Sequence, residues 1–148
     1  MKRCNYSKQI IGAFMVLDAD TLAVVKEERK SKQAITDIKF NSTSEMVALA
    51  SSDGRVYIHC TKKFDLLRTI ETPVRYCSIT KIDFNKDATI LRMCTNFDQL
   101  FYCRLESTGG TNKNTIESNV TSVRDEEWIQ PTCPFTFFNQ GLSLHSLN

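Results

Sequence analysis

The segment Ile35-Thr36-Asp37-Ile38-Lys39-Phe40-Asn41 returns 44 residues later as Ile79-Thr80-Lys81-Ile82-Asp83-Phe84-Asn85. The offset continues without a gap, carrying Leu49 to Met93, Ala50 to Cys94, Val56 to Leu100, Tyr57 to Phe101 and Ile58 to Tyr102. One more step takes Ile79 to Val123 and Phe84 to Trp128. Upstream, Ala13-Phe14-Met15 matches Val56-Tyr57-Ile58 at a spacing of 43. A fixed period constrains a fold more than any local propensity, because each unit must bury its apolar face against copies of itself.

Inside the unit the apolar runs are short and alternate with period two. Thr36, Ile38 and Phe40 share one face of an extended segment. Met46 to Ala50 forms a second run, and Ser51-Ser52-Asp53-Gly54 follows as a tight turn, since Asp-Gly tolerates positive φ. Val56 to Cys60 and Leu66 to Ile70 complete the unit, and Thr80 to Phe84, Thr89 to Cys94 and Leu100 to Arg104 repeat it. No run carries apolar residues at helical spacing over two turns, which excludes helical repeats. Four short strands in about 40 to 45 residues describe one blade of a β-propeller.

The predicted fold is therefore all-β: an incomplete propeller of about three blades of four-stranded antiparallel sheet. Residues 10–32 are read as the end of one blade, 33–70 and 76–118 as full blades, and 121–148 as the opening of another. Closed propellers have about four to eight blades, so the chain is expected to be a fragment or a truncated product. Ile38, Phe40, Ile82, Phe84 and Trp128 are the expected repeat core. Phe40, Phe84 and Trp128 should occupy equivalent positions, with Phe40 and Phe84 buried. Ser107 to Ser118, rich in Gly, Asn, Thr and Ser, is read as a long exposed connection.

Charge and chemistry narrow the function. Nineteen basic and seventeen acidic residues leave a net charge of +2, which makes no case for nucleic acid or an anionic membrane. No apolar stretch approaches the roughly eighteen residues of a membrane span. Met1-Lys2-Arg3 before the apolar run Ile10 to Leu17 imitates a signal peptide, but the run ends at Asp18 and Asp20 without a small-residue cleavage site. Three N-x-S/T triplets begin at Asn5, Asn41 and Asn119, a number that arises by chance. The six cysteines are scattered, several inside apolar runs, and are read as reduced, small buried hydrophobes in a cytosolic protein.

Only His59 and His145 are neutral-pH bases, and His59 sits within a strand, where a packed histidine is the commoner role. There is no G-x-S-x-G elbow, no closely spaced Cys pair for zinc and no phosphate loop. Asp18 and Asp20 read as a turn between strands. No enzyme, metal or cofactor is expected. Tyr57, Phe101, Tyr102 and Phe137-Phe138 are read as inter-sheet filling rather than base-stacking platforms. Lys26 to Lys32, carrying Lys26, Arg29, Lys30 and Lys32, is read as a solvated loop between strands that can meet an acidic partner.

The order of several pieces resembles the propeller repeats of the echinoderm microtubule-associated protein-like family. They are Phe14 to Thr21, Ala34 to Phe40, Val47 to Gly54, Ser78 to Phe84, Phe97 to Tyr102, and Val123 to Trp128 with Thr132-Cys133. The agreement runs from about residue 12 to residue 133. Two features depart from it: Pro73 to Cys77 stands where the family has Gly-His, and the strands ending in His59-Cys60 and Cys103-Arg104 lack its Trp-Asp. In WD-type blades those residues form a hydrogen-bonded network, so their loss implies a less stable blade. The resemblance implies a non-enzymatic, cytoskeletal protein that binds tubulin, whose acidic tails would meet the basic loop. The alternative is a WD-repeat scaffold in a signalling or ciliary complex with another partner.

Overall fold

A computed structural model describes residues 12–29, 31–105, 115–118 and 120–133. Three antiparallel sheets follow one another along the chain. β1 (Ala13–Leu17) and β2 (Val24–Arg29) form a hairpin; β3 (Ile35–Phe40), β4 (Met46–Ser51), β5 (Arg55–Cys60) and β6 (Leu66–Glu71) form a four-stranded meander. β7 (Ile79–Phe84), β8 (Ile90–Thr95), β9 (Leu100–Arg104) and β10 (Thr115–Glu117) form a second. Thr115 to Glu117, expected within an exposed connection, instead pairs with β9 as the fourth strand. Residues 107–114 of that connection, and Phe137, Phe138 and His145, lie outside the described residues.

The two meanders share one register, shifted by 44. Ile38 pairs with Leu49 and Phe40 with Val47, as Ile82 pairs with Met93 and Phe84 with Leu91. Each first strand carries the same irregularity, at Ile35/Asp37 and at Ile79/Lys81. The turns repeat as well. Asn41 Oδ1 accepts the Met46 N–H at 2.9 Å, and Asn85 Oδ1 accepts that of Ile90 at 2.8 Å. Both asparagines are buried, so the Asn41 triplet is a turn lock. Gly54, at φ 80°, closes the β4–β5 turn, and Asp98 takes its place 44 residues later at φ 58°. A side chain at Gly54 would meet the Cys77 carbonyl at 3.0 Å, which explains glycine there.

Sheets stack face to face, and alternation decides which residues meet. Ala48, Ala50, Val56, Ile58 and Ile70 of the first meander pack against Ile82, Phe84, Leu91 and Met93 of the second. The opposite face of the first meander, through Val47, Leu49 and Tyr57, receives Phe14 of β1. Ile90 and Tyr102 of the second meander pack against Val123 and Trp128.

Two expectations are corrected. Ile82 and Phe84 are 0% and 1% exposed, but Ile38 and Phe40, in the same register, are 49% and 55% exposed. The pleat aims both pairs towards the preceding blade. For Ile82 and Phe84 that is a full meander; for Ile38 and Phe40 it is a two-stranded hairpin that does not reach them. Trp128, in turn, is not in a third copy of the strand. Val120–Val123 forms a 3₁₀ turn, and Trp128 makes an isolated antiparallel bridge to Asn85 beside the end of β7.

Candidate interaction surface

The β1 hairpin shows why the expected basic cluster does not assemble. Lys26 and Arg29 belong to β2 itself, and an odd separation in a strand sends them to opposite faces. Lys26 Nζ turns inward, donating to the Lys63 and Phe64 carbonyls at 3.3 and 3.4 Å and lying 3.5 Å from Glu28. Arg29 Nε donates to the Ser31 carbonyl at 3.4 Å. Lys32 is exposed past the strand, and Lys30 lies outside the described residues. Lys26 thus holds the hairpin onto the first meander, while Arg29 bonds locally within its own segment.

His59 is fully buried, with Nδ1 3.0 Å from the Phe64 carbonyl and its ring edge-on to Phe14 at 5.2 Å. Its role is packing and hydrogen bonding. Among the described residues no cluster of His, Cys, Asp and Glu could hold a metal, and no helix is long and apolar enough to cross a membrane. Cys60 is half-buried, while Cys77, Cys94, Cys103 and Cys133 are buried, all as free thiols. Burial pushes the Cys103 thiol up to about 11, where it is protonated and unreactive. Cys4 lies outside the described residues.

The first meander does have a hydrogen-bonded brace, built from other residues than sequence comparison would seek. Ser31 Oγ lies 2.8 Å from Ser51 Oγ and donates to Asp53 Oδ2 at 2.7 Å, and Tyr57 Oη donates to the same oxygen at 2.6 Å. The network ties the approach to β3 to the β4–β5 turn. Burial alone would raise the Asp53 carboxyl, but donation from Tyr57, Ser31, Ser51 and the Arg55 amide outweighs it and lowers the pKa. A carboxyl lowered by folding stabilises above its unfolded pKa and loses that contribution as pH falls through its folded value. Between about pH 5 and about pH 2 the melting temperature should therefore fall less steeply in Asp53→Asn than in the parent chain. Parallel slopes in thermal melts would contradict it. The second meander has Phe97 in place of Asp53, 55% exposed, and no such brace.

A different centre, missed in the sequence, anchors the second meander. Asp83 and Arg92 are cross-strand partners at 1% and 2% exposure, with Arg92 Nε and Nη2 at 2.9 and 2.8 Å from Asp83 Oδ2. The same carboxylate accepts the Thr132 hydroxyl at 2.6 Å and the Cys133 amide at 2.9 Å. Arg92 lies 4.1 Å over the Trp128 ring, which tilts against Tyr102. The signal was a paired exchange: Lys39 and Ala48, neighbours across β3 and β4, become Asp83 and Arg92.

A groove of about 750 Å³ lies between β1 and β3, walled by Met15, Leu17, Ile38 and Phe40 and floored by Leu49. It is open and mainly apolar, with Thr36 and Asp37 the polar residues of its lining. The arrangement offers an apolar surface of the kind that receives another polypeptide segment.

No family model matches the chain, and no curated protein matches it. Among solved structures, it is similar to the β-propeller domain of Cps50 (Swd1) from Myceliophteria thermophila, with a TM-score of 0.59 and 11% identity. The match covers 70% of this chain and 31% of that one, so this chain spans about a third of a propeller domain. At that identity the likeness shows the fold: part of a WD-type β-propeller.

Proposed function

We propose that this part of a WD-type propeller is a non-enzymatic scaffold that binds other proteins, and that microtubules are one such partner. The single observation that carries the scaffold reading is the open, mainly apolar groove between β1 and β3, with Phe40 55% exposed on its wall. Propellers present faces, rims and edges to partners, and among the described residues His59 is buried against Phe14 and the Phe64 carbonyl. Cytoplasmic, cytoskeletal location belongs to the same proposal.

The microtubule reading is supported by the family resemblance of residues 12–133 alone. A scaffold with another protein partner is favoured by one feature of the structure: Lys26 and Arg29 are bonded to backbone carbonyls rather than gathered for an acidic tail.

Co-sedimentation of the full chain with polymerised tubulin separates the two. Microtubule association through the basic segment predicts pelleting at about 0.1 M salt that fades towards 1 M, as the Debye length shrinks from about 10 to about 3 Å. Changing Arg29, Lys30 and Lys32 together to Glu should abolish that pelleting while leaving the circular dichroism spectrum unchanged. Absence of pelleting at low salt would remove tubulin and leave the general scaffold.

A further inference from the structure

Beside the Asp83–Arg92 pair lie two thiols that the scaffold leaves unused. Asp83 pairs with Arg92, and Lys81 with Cys94, across β7 and β8, so these four side chains take one face of the sheet. The segment 127–133 lies against it. The Lys86 N–H donates to the Glu127 carbonyl at 2.7 Å, and the Ile129 N–H to the Phe84 carbonyl at 3.1 Å. Asp83 accepts the Thr132 hydroxyl and the Cys133 amide, which sets Cys133 over the same face as Cys94. The two thiols are hydrogen-bonded to each other, and both residues are 0% exposed. The other buried cysteines bond elsewhere: Cys77 Sγ lies 2.9 Å from Thr72 Oγ1, and Cys103 Sγ donates to the Arg104 carbonyl at 3.7 Å.

We propose that Cys94 and Cys133 form a redox latch: a small-molecule disulfide of the glutathione class oxidises them to an intramolecular disulfide that fastens the segment 127–133 to β8. The latch goes beyond the scaffold reading and does not rest on it. While the segment is docked, the Cys94 thiol, burial and the Asp83 carboxylate push the Cys133 thiol above its ordinary range, and the Arg92 guanidinium pulls the other way. The docked pair therefore rests reduced and unreactive. Reaction begins when the segment lifts from β7 and Cys133 meets solvent. Hydrogen bonds to β7 and the packing of Trp128 on Arg92 and Tyr102 hold the segment, and contacts of this kind open locally at less cost than global unfolding.

Cys133 reacts first, because Cys94 belongs to a strand paired on both edges, by β7 and β9. The Cys133 thiolate attacks one sulfur of the oxidised glutathione. The displaced glutathione thiolate takes up the proton that Cys133 lost, leaving a Cys133–glutathione mixed disulfide. As the segment settles back, the Cys94 sulfur attacks the Cys133 sulfur, and the second glutathione leaves with the Cys94 proton. Two protein thiols are oxidised while one disulfide is reduced to two thiols, so electrons and protons balance. The sulfurs close from hydrogen-bond contact to about 2.0 Å. The covalent tie then fixes a segment that also reaches the first meander, where Lys39 Nζ donates to Gln130 Oε1 at 3.2 Å.

The full chain, folded and reduced, is incubated with oxidised glutathione, and the remaining thiols are alkylated. Chymotryptic digestion and mass spectrometry then map the linkages, since trypsin leaves Cys94 and Cys103 on one peptide. A Cys94–Cys133 disulfide is expected as the main product. Cys94→Ala should stop at the Cys133–glutathione mixed disulfide, and Cys133→Ala should leave Cys94 unlinked. Amide hydrogen exchange reads the latch itself. At Thr132 and Cys133 it should slow at least about tenfold on oxidation, while at Leu49 of β4 it should not change. Both measurements on the unsubstituted chain decide the question even where a variant fails to fold. Preferential linkage of other cysteines, a Cys94–Cys133 bond that forms only in urea, or exchange at Thr132 and Cys133 that oxidation leaves unchanged overturns the proposal.

Discussion

Replacing Asp83 by Ala is expected to cost about 3–5 kcal/mol, because it strands the buried guanidinium of Arg92 without its counter-charge. The change also removes the acceptor for the Thr132 hydroxyl and the Cys133 amide, so the segment 127–133 should loosen from β7. Single domains are stable by about 5–15 kcal/mol in total, so a loss of this size removes a large share of the stability. Urea unfolding should show the shift in midpoint. The lone tryptophan, stacked under Arg92, supplies the fluorescence signal. Combining Asp83→Val with Arg92→Leu, which removes both buried charges together, should lose less than Asp83→Ala alone. A single variant within about 1 kcal/mol of the parent would show that the pair is not needed for stability.

Truncating two phenylalanines that occupy one register should give very different results. Phe84→Ala empties a site at 1% exposure between the meanders and should cost about 3–5 kcal/mol, the transfer term plus the cavity left behind. Phe40→Ala removes a ring that is 55% exposed and should cost less than about 1 kcal/mol. Both can be read from the same denaturant melts. Equal losses would mean that Phe40 is covered in solution, and would place a neighbour over β3.

Much of the fold was legible because its signals are local. Period-two alternation and the Asp53-Gly54 turn act within a few residues, and the 44-residue offset repeats the strands in register. The candidate surface was less legible. Lys26 and Arg29 looked like one cluster because they are close in sequence, and a strand separates such neighbours onto opposite faces. The brace around Asp53 escaped a search for Gly-His and Trp-Asp because hydroxyls of Ser31, Ser51 and Tyr57 perform the bonding.

The sequence by itself determined β3 to β9, their order within each meander and the faces their side chains take, since alternation and turn chemistry need no distant partner. Tertiary structure alone decided which of those faces is a core. Ile38 and Ile82, or Phe40 and Phe84, are indistinguishable by pattern, and burial depends on whether a complete sheet stands on the side towards which they point. It also decided the fate of Trp128, whose place in the period suggested a third strand. Instead it bridges Asn85 and lies under Arg92, because the buried Asp83 carboxylate draws Thr132 and Cys133 against β7. Burial and charge pairing are properties of neighbours, and no repeat read along one chain specifies who the neighbour is.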